Sequence, residues 1–167
     1  MTTPVYLVRH AKAESRSRWT EPDHLRPLTK AGRGQAKALP GLFAGQSFSR
    51  LLSSPYVRCV QTLEPLAEAL GLPLETADEL SEGAPVDAAL ALITSTAADG
   101  PAALCTHGDV MKLAVEDLVA AGIPIDGPLE YKKGATWILE VDGSAVARAR
   151  YLPHRPSDAA SAKLFRG

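Results

Sequence analysis

Short apolar runs alternate with helix-like stretches along most of this chain. Residues 4–8, 51–52 and 101–106 are short runs that are apolar on both faces, which is typical of buried strands in a parallel sheet. The stretches between them have the spacing or composition of helices. This alternation predicts an α/β fold, a three-layer sandwich with a mainly parallel central sheet and helices on both faces.

The first two helices are predicted from their capping residues and prolines. Thr29 is suited to cap one helix, which Pro40 would then bend or interrupt. Ser54 is suited to cap the next helix, with Pro55 as its first residue. Pro65 predicts a kink or a change of helix within that second segment.

The second half of the chain predicts two more helices and a hairpin. Residues 86–93 are alanine-rich and helical in composition, and residues 74–77 are a candidate short strand. Four apolar residues at helical spacing predict one buried face of the last helix: Val110, Leu113, Ala114 and Leu118. Residues 135–141 and 146–152 predict a β-hairpin at one edge of the sheet. We expect one domain over residues 1–153 and a C-terminal tail over residues 154–167.

Arginines and histidines follow the predicted strands. Arg9 and His10 come after the first strand, Arg58 lies in the first turn of the helix after the second, and His107 follows the third. Ligands of open α/β sheets bind outside the carboxyl ends of the strands. A guanidinium binds oxyanions, and an imidazole can act as nucleophile, acid or base near neutral pH. Each residue alone also fits an ordinary surface or capping role, but their repetition at three junctions predicts a nucleophile within an anion site.

These segments resemble the histidine phosphatase superfamily, which has the phosphoglycerate-mutase-like fold. The matching segments occur in the family's order at residues 7–11, 26–32, 53–62, 79–83 and 106–108. The small size and the sequences Arg-His-Ala-Lys-Ala and Arg-Pro-Leu-Thr are most similar to the short SixA-like phosphatases. A related domain forms the C-terminal part of some Nudix hydrolases, but these 167 residues contain no Nudix box.

The resemblance implies a role for each of the four residues. It implies that His10 attacks phosphorus and carries the phosphoryl group as a phosphohistidine, while Arg9, Arg58 and His107 surround the non-bridging oxygens. One ring nitrogen of His10 must then be unprotonated, and the other should donate a hydrogen bond to a backbone carbonyl. With four such groups, and no cluster at metal-ligand spacing, we expect neither a metal nor a cofactor.

A general acid and a substrate-binding arginine are expected nearby. Residues 79–83 match the place where the larger family carries its acid, which favours Glu82 and leaves Glu79 as the alternative. Either residue would also fit a solvated loop. SixA-like enzymes often lack the acid, so its presence widens the expected substrates toward phosphoesters. The polar segment 12–28 is expected to be a loop over the pocket, with Arg18 as a candidate for substrate binding.

Composition excludes several other classes of protein. The chain has 167 residues, 46% hydrophobic and 22% charged, which is ordinary for a globular domain. Its net charge of −1 argues against nucleic-acid and membrane partners. We expect no signal peptide, no membrane span and a cytoplasmic location. Cys59 and Cys105 do not make a disulfide framework and are expected to fill space in the core.

The combined prediction is a metal-independent histidine phosphatase. Its expected partner is a phosphohistidine protein or a small phosphorylated metabolite. The alternative is a phosphate-binding module without turnover, which the intact four residues disfavour. A phosphomutase is a weaker alternative, because the chain has little between residues 71 and 100 to build pocket-closing segments.

Overall fold

One sheet of seven strands runs through residues 1–154, the part of the chain that the structure, a computed structural model, describes. The strands are β1 Thr3–Arg9, β2 Arg50–Ser53, β3 Leu74–Thr76, β4 Ala102–Thr106, β5 Ile125–Asp126, β6 Thr136–Asp142 and β7 Ala145–Leu152. They lie in the order β3-β2-β4-β1-β6-β7-β5. The helices are α1 Lys30–Leu42, α2 Val57–Leu70, α3 Val86–Ala97 and α4 Gly108–Ala120, with short 3-10 helices at Asp23–Leu25 and Asp78–Leu80.

Most neighbouring strands of the sheet are parallel. β1 pairs with β4, β4 with β2, and β2 with β3 in parallel, and β5 is parallel to β7. β6 is antiparallel to both β1 and β7. The mainly parallel α/β sheet and the C-terminal hairpin are therefore confirmed. The two-residue strand β5, which the sequence pattern did not predict, lies outermost beside that hairpin.

The two faces of the sheet carry separate apolar cores. In β1, Val5 and Leu7 pack with buried residues of α3 and α4, whereas Tyr6 and Val8 pack with those of α1 and α2. This alternation follows from the two-residue period of a strand. Helices cover both faces, which explains why the central strands are apolar throughout and confirms the three-layer arrangement.

Both cysteines lie inside one of these cores. Cys59 of α2 and Cys105 of β4 are free thiols, and both are fully buried. They pack with Leu51 and Leu63 between the sheet and α2. Their surroundings agree with the predicted role as small packing residues.

Two prolines that were predicted to bend or interrupt their helices lie inside continuous helices. Thr29 caps α1 as predicted, since its side chain accepts a hydrogen bond of 2.9 Å from the backbone three residues on. α1 then continues through Pro40, and α2 continues through Pro65. Proline removes one backbone hydrogen bond from each helix. Leu63 and Leu66, on either side of Pro65, are both buried, so their packing holds α2 together across that missing bond.

The buried face of α4 differs from the predicted one. Val110, Ala114 and Leu118 are buried, but Leu113 is 48% exposed, so the prediction for Leu113 was wrong. Met111, which is fully buried, lies on the core side instead. Successive helical residues are about 100° apart, and a stripe through 111, 114 and 118 turns Leu113 toward solvent.

The predicted tail over residues 154–167 lies outside the described residues apart from His154, so the domain boundary at 153 stays a prediction. His154 itself is ordered against α1, with its Nε2 atom 2.9 Å from the carbonyl oxygen of Gln35. Within residues 1–154, none of the helices combines the length and the apolar composition needed to span a bilayer.

Candidate active site

Three neighbouring parallel strands bring the predicted residues to one edge of the sheet. β2, β4 and β1 are adjacent, so their carboxyl ends lie side by side. The backbone N–H of His10 donates to the carbonyl of Thr106 at 3.0 Å, and that of Ser54 donates to the carbonyl of Cys105 at 2.9 Å. The imidazole rings of His10 and His107 are 5.5 Å apart between centroids. The register of the sheet thus places both histidines in one site.

His10 is held as a neutral imidazole with one free nitrogen. Its ring is buried, and its Nδ1 atom lies 2.7 Å from the carbonyl oxygen of Ala11. A carbonyl can only accept, so Nδ1 carries the proton and Nε2 has a free lone pair. The pKa of His10 is lowered to about 3, mainly by burial and also by the nearby charges of His107, Arg58 and Arg9, which together outweigh the opposite effect of the carbonyl contact. The carbonyl partner expected from the sequence is therefore Ala11.

His107 is fixed by a hydroxyl on its other side. Its Nε2 atom is 2.9 Å from the Oγ of Ser54 and 3.5 Å from the Sγ of Cys59, and its ring packs edge-on against Tyr56. Ser54 was predicted to cap α2, but the helix begins at Val57 without a side-chain cap. The helix thus starts two residues later than predicted. The buried Ser54 hydroxyl accepts a hydrogen bond of 3.2 Å from the backbone N–H of Tyr56 and also contacts the His107 ring.

Arg58 is a fully buried cation with two carboxylate neighbours. Its Nη2 atom is 3.0 Å from Oδ2 of Asp23 and 3.4 Å from Oε1 of Glu82, and Nη1 donates to the Asp23 carbonyl at 2.9 Å. The guanidinium carbon also lies 5.0 Å from the ring centre of Tyr56. A charge buried in this way needs such partners, since desolvation without them is costly. Arg58 enters from the first turn of α2, as predicted.

Arg9 packs directly on the first turn of α4. Its Nη1 atom donates a hydrogen bond of 2.6 Å to the carbonyl of Tyr131. A Cβ atom on Gly108 would lie only 2.7 Å from the guanidinium carbon of Arg9. The glycine is therefore needed for close approach of the side chain to the backbone.

Three buried nitrogens at this site have no hydrogen-bond partner among the described residues. They are Nε of Arg9, Nε of Arg58 and Nδ1 of His107. Buried polar groups are nearly always paired in folded proteins, because an unpaired one costs on the order of 1–3 kcal/mol. Two of the three belong to permanent cations. The arrangement is therefore suited to a ligand that brings several acceptor oxygens and negative charge.

Glu82 lies at the site, whereas Glu79 does not. The Oε1 atom of Glu82 is 2.9 Å from Nη2 of Arg16 and 4.0 Å from Nδ1 of His107, in addition to its contact with Arg58. Partial burial raises the pKa of this carboxyl, but the bond from Arg16 and the charges of Arg16, Arg58 and His107 hold it below its usual value. Glu79 is exposed on the 3-10 helix Asp78–Leu80.

The loop over residues 12–28 closes one side of a cavity of about 710 Å³. Arg16 and Arg26 of this loop line the cavity, together with Arg9 and His10. Arg18, the predicted substrate-binding residue, is exposed and is not among the lining residues. Any contact between Arg18 and a substrate would therefore require a substrate that extends beyond the cavity.

Sequence reasoning missed several residues that complete the site. Asp23 lies in the polar segment 12–28 and was assigned no role, although it pairs with Arg58 and also with Arg26 at 3.0 Å. Tyr131 and Lys133 line the cavity from the segment before β6. Arg26 stands in the Arg-Pro-Leu-Thr motif and could have been found there, but no motif marks the other three.

The comparison with protein families decides the assignment. A model of the histidine phosphatase superfamily (branch 1) matches residues 5–84, which include Arg9, His10 and Arg58. Residues 5–84 therefore belong to the histidine phosphatase superfamily. The family predicted from the sequence motifs is thereby confirmed.

Individual relatives of this histidine phosphatase chain carry phosphatase names. The 8-oxo-(d)GTP phosphatase of Mycolicibacterium smegmatis is 32% identical over 155 residues, which cover 90% of this chain and 48% of the relative. The chain thus spans about half the length of that curated relative. A SixA protein from Agrobacterium tumefaciens is 28% identical with a TM-score of 0.68, over 84% of this chain and 92% of that one.

A third comparison concerns the fold of the superfamily. The protein histidine phosphatase SixA, solved in complex with tungstate, is 22% identical and superimposes with a TM-score of 0.73, over 92% of this chain and 97% of that chain. This likeness confirms the predicted phosphoglycerate-mutase-like fold. The predicted class of phosphatase enzyme agrees with the names of all three relatives.

Proposed function

We propose that this chain is a phosphatase that transfers a phosphoryl group from its substrate to Nε2 of His10 and then to water. The observation that carries the proposal is the combination of a neutral His10, whose Nδ1 is bound to the Ala11 carbonyl, with three unpartnered donors on Arg9, Arg58 and His107. A nucleophile needs a free lone pair, and a transferring phosphoryl group needs donors at its oxygens. Both requirements are met within one site.

The donors act on the charge of the transferring group. In this proposal Arg9, Arg58 and His107 bind the three non-bridging oxygens while Nε2 of His10 attacks in line with the leaving group. Transfer of this kind depends mainly on positioning and electrostatic stabilisation. Ser54 is a positioning residue, because its hydroxyl orients the His107 ring from the side away from Glu82.

Glu82 is proposed as the general acid for leaving groups that need a proton. Its carboxyl faces Arg58 and His107, where the substrate phosphate would bind. A bound phosphate dianion would add negative charge near Glu82 and compete for these cations, and both effects raise the pKa of a carboxyl.

The proposal includes no metal ion. In this proposal Arg9, Arg58 and His107 stabilise the charge of the phosphate, which is what a divalent metal does in other phosphoryl-transfer enzymes. Among residues 1–154, no group of three or more His, Cys, Asp or Glu side chains is placed to hold a metal. The expected substrates remain a phosphohistidine protein or a small phosphorylated metabolite, for which the SixA and 8-oxo-(d)GTP phosphatase relatives offer support.

The test is phosphate release from p-nitrophenyl phosphate and phosphohistidine in the presence of a chelator. Wild type should turn over at least one of them, and His10→Ala should lose about 10³-fold or more in kcat, as expected for removal of a nucleophile. His24→Ala is the matched control, because His24 is exposed and does not line the cavity. Wild-type activity in His10→Ala, or activity that the chelator abolishes, would contradict the proposal.

A further inference from the structure

The cavity has a second group of cations that the proposed transfer does not use. Lys133 and Arg26 both line it, next to Arg9. The segment that carries Lys133 is fixed to the end of β1, because Gly134 N–H lies 3.1 Å from the carbonyl oxygens of both Arg9 and His10. Arg9 N–H in turn donates to the carbonyl of Ala135 at 2.9 Å. Lys133 is thus held beside the proposed phosphate site by the backbone.

Lys133 is surrounded by positive charge. Burial lowers the pKa of its ammonium group, and the charges of Arg9, Arg26 and Lys12 lower it further. Among the described residues, no carboxylate lies within ion-pair distance of Lys133, whereas its neighbour Lys132 is paired with Glu130 at 3.0 Å. Like charges gathered on a cavity wall repel one another, and an anionic ligand relieves that repulsion.

Arg26 is fixed at the same wall. It is only 6% exposed, its Nε donates to Asp23 at 3.0 Å, and its Nη1 donates to the carbonyl of Glu14 at 2.7 Å. These bonds use two of its three nitrogens and orient the guanidinium. A preorganised arginine of this kind is well suited to phosphate oxygens.

We propose that Lys133 and Arg26 form a subsite for a second phosphate, so that the preferred substrate is a diphosphate whose terminal phosphoryl group is transferred to His10. This inference rests on the proposed function. A transferring phosphoryl group has a single substituent, so a second anion on the same substrate must belong to the leaving group. The subsite therefore selects among leaving groups.

Transfer of the terminal phosphoryl group of a diphosphate does not require a protonated Glu82. Nε2 of His10 forms a bond to the terminal phosphorus while the bond from that phosphorus to the bridging oxygen breaks. The electron pair leaves with the bridging oxygen on the inner phosphate, and Lys133 and Arg26 stabilise the added charge. Water then attacks the phosphohistidine, the electron pair of the phosphorus–nitrogen bond returns to Nε2 of His10, inorganic phosphate departs and the proton of the water passes to solvent. A phosphate leaving group needs no protonation, so the lowered pKa of Glu82 does not impede it.

The test compares phenyl diphosphate with phenyl phosphate in steady-state assays at low ionic strength. In Lys133→Gln we expect the KM for phenyl diphosphate to rise about tenfold and the ratio of kcat/KM between the two substrates to fall about tenfold. Lys132→Gln is the matched control, since it removes an adjacent charge that does not line the cavity, and it should leave that ratio within about twofold. An equal loss on both substrates in Lys133→Gln, no loss on either, or the same effect in Lys132→Gln would overturn the subsite.

A binding measurement separates this inference from the proposed function. Calorimetry with the non-hydrolysable methylenediphosphonate and with methylphosphonate needs no turnover. Tighter binding of methylenediphosphonate to wild type, lost in Lys133→Gln, would support the subsite even if wild type released no phosphate from either ester. Equal affinity of wild type for the two phosphonates would overturn the subsite even if the enzyme hydrolysed phenyl phosphate.

Discussion

Two contacts at the scale of single residues set the chemistry of the candidate site. The Ala11 carbonyl fixes the proton of His10 on Nδ1, and the burial of the ring disfavours a second proton. The neutral form is the one that a nucleophile needs. His107 differs, because its Nε2 contacts Ser54 and its Nδ1 faces the carboxylate of Glu82 at 4.0 Å. His10 is thus arranged to act as the nucleophile, and His107 is arranged to donate a hydrogen bond.

The protonation state of His10 can be measured directly. Long-range ¹H–¹⁵N NMR should show a neutral ring protonated at Nδ1, with a midpoint near pH 3 where free histidine has 6.5. Because the pKa is lowered by folding, unfolded chains bind this proton first as the pH falls. The contribution of His10 to stability is therefore complete above about pH 6.5 and is lost as the pH falls toward 3. A midpoint near pH 6.5 for His10 in the folded protein would contradict the lowered pKa of this residue.

Glu82 can be tested through the leaving group of the substrate. Glu82→Gln should slow the hydrolysis of an alkyl phosphate by about 10²–10⁴-fold, the usual contribution of a general acid. An aryl phosphate and phosphohistidine should be nearly unaffected, because their leaving groups need less protonation. Glu79→Gln is the control, since this exposed carboxylate does not line the cavity. Equal losses on all three substrates would show that Glu82 supports Arg58 and does not transfer a proton.

At the scale of elements, the first turn of α4 packs closely against Arg9 at the end of β1. The first turn of α4 can approach Arg9 only because residue 108 has no side chain. Gly32 has a similar role at the start of α1, where a Cβ atom would overlap the carbonyl oxygen of Lys12. Neither requirement can be predicted from helix propensity, which disfavours glycine at both positions.

The approach of Arg9 to α4 gives a prediction that separates activity from stability. Gly108→Ala should displace the guanidinium of Arg9 and lower kcat/KM by about tenfold or more, because a small displacement of a positioning group has large kinetic effects. Gly34→Ala in α1 is the control, since a Cβ atom there meets nothing within 4 Å. It should raise the free energy of unfolding by about 0.4–1 kcal/mol and leave kcat/KM unchanged. Thermal denaturation and steady-state kinetics check both variants, and full activity in Gly108→Ala would contradict the geometry.

The elements that were predicted correctly, and the predicted site residues that the structure brings together, are those whose signal lies in the adjacent sequence. Strands β1, β2 and β4 were found because burial on both faces makes them apolar, and Arg9, His10, Arg58 and His107 were found because they follow strand ends. The contact of Ser54 with His107 joins residues 53 positions apart, so the capping propensity of Ser54 gave no sign of it. The error at Leu113 was local, because the apolar spacing of α4 did not fix which side of the helix is buried.

Distant contacts also explain the residues that the sequence did not reveal. Asp23 pairs with Arg58 from 35 positions away, and Tyr131 accepts from Arg9 across 122 positions. Loop residues of this kind follow no hydrophobic period and belong to no short motif. They could be assigned only once the sheet order had placed β6 beside β1.

At the scale of the whole molecule, the sheet carries the candidate site at the carboxyl ends of its central strands. Helices on both faces stabilise β1, β2 and β4, whose ends hold the histidines, and the loop over residues 12–28 closes one side of the cavity. The carboxyl ends of parallel strands form the binding edge in open α/β sheets generally. The central claim is that this edge holds a histidine that becomes phosphorylated during turnover.

The most direct test of that claim is to trap the intermediate. Wild type is mixed with a ³²P-labelled phosphatase substrate, quenched within milliseconds in alkali, and the labelled peptide is identified by mass spectrometry. We predict phosphate on the peptide that contains His10, stable in alkali and labile in acid, and none on the same peptide of His10→Ala. Turnover that proceeds with no label on the protein, or with label on a residue other than His10, would contradict the account.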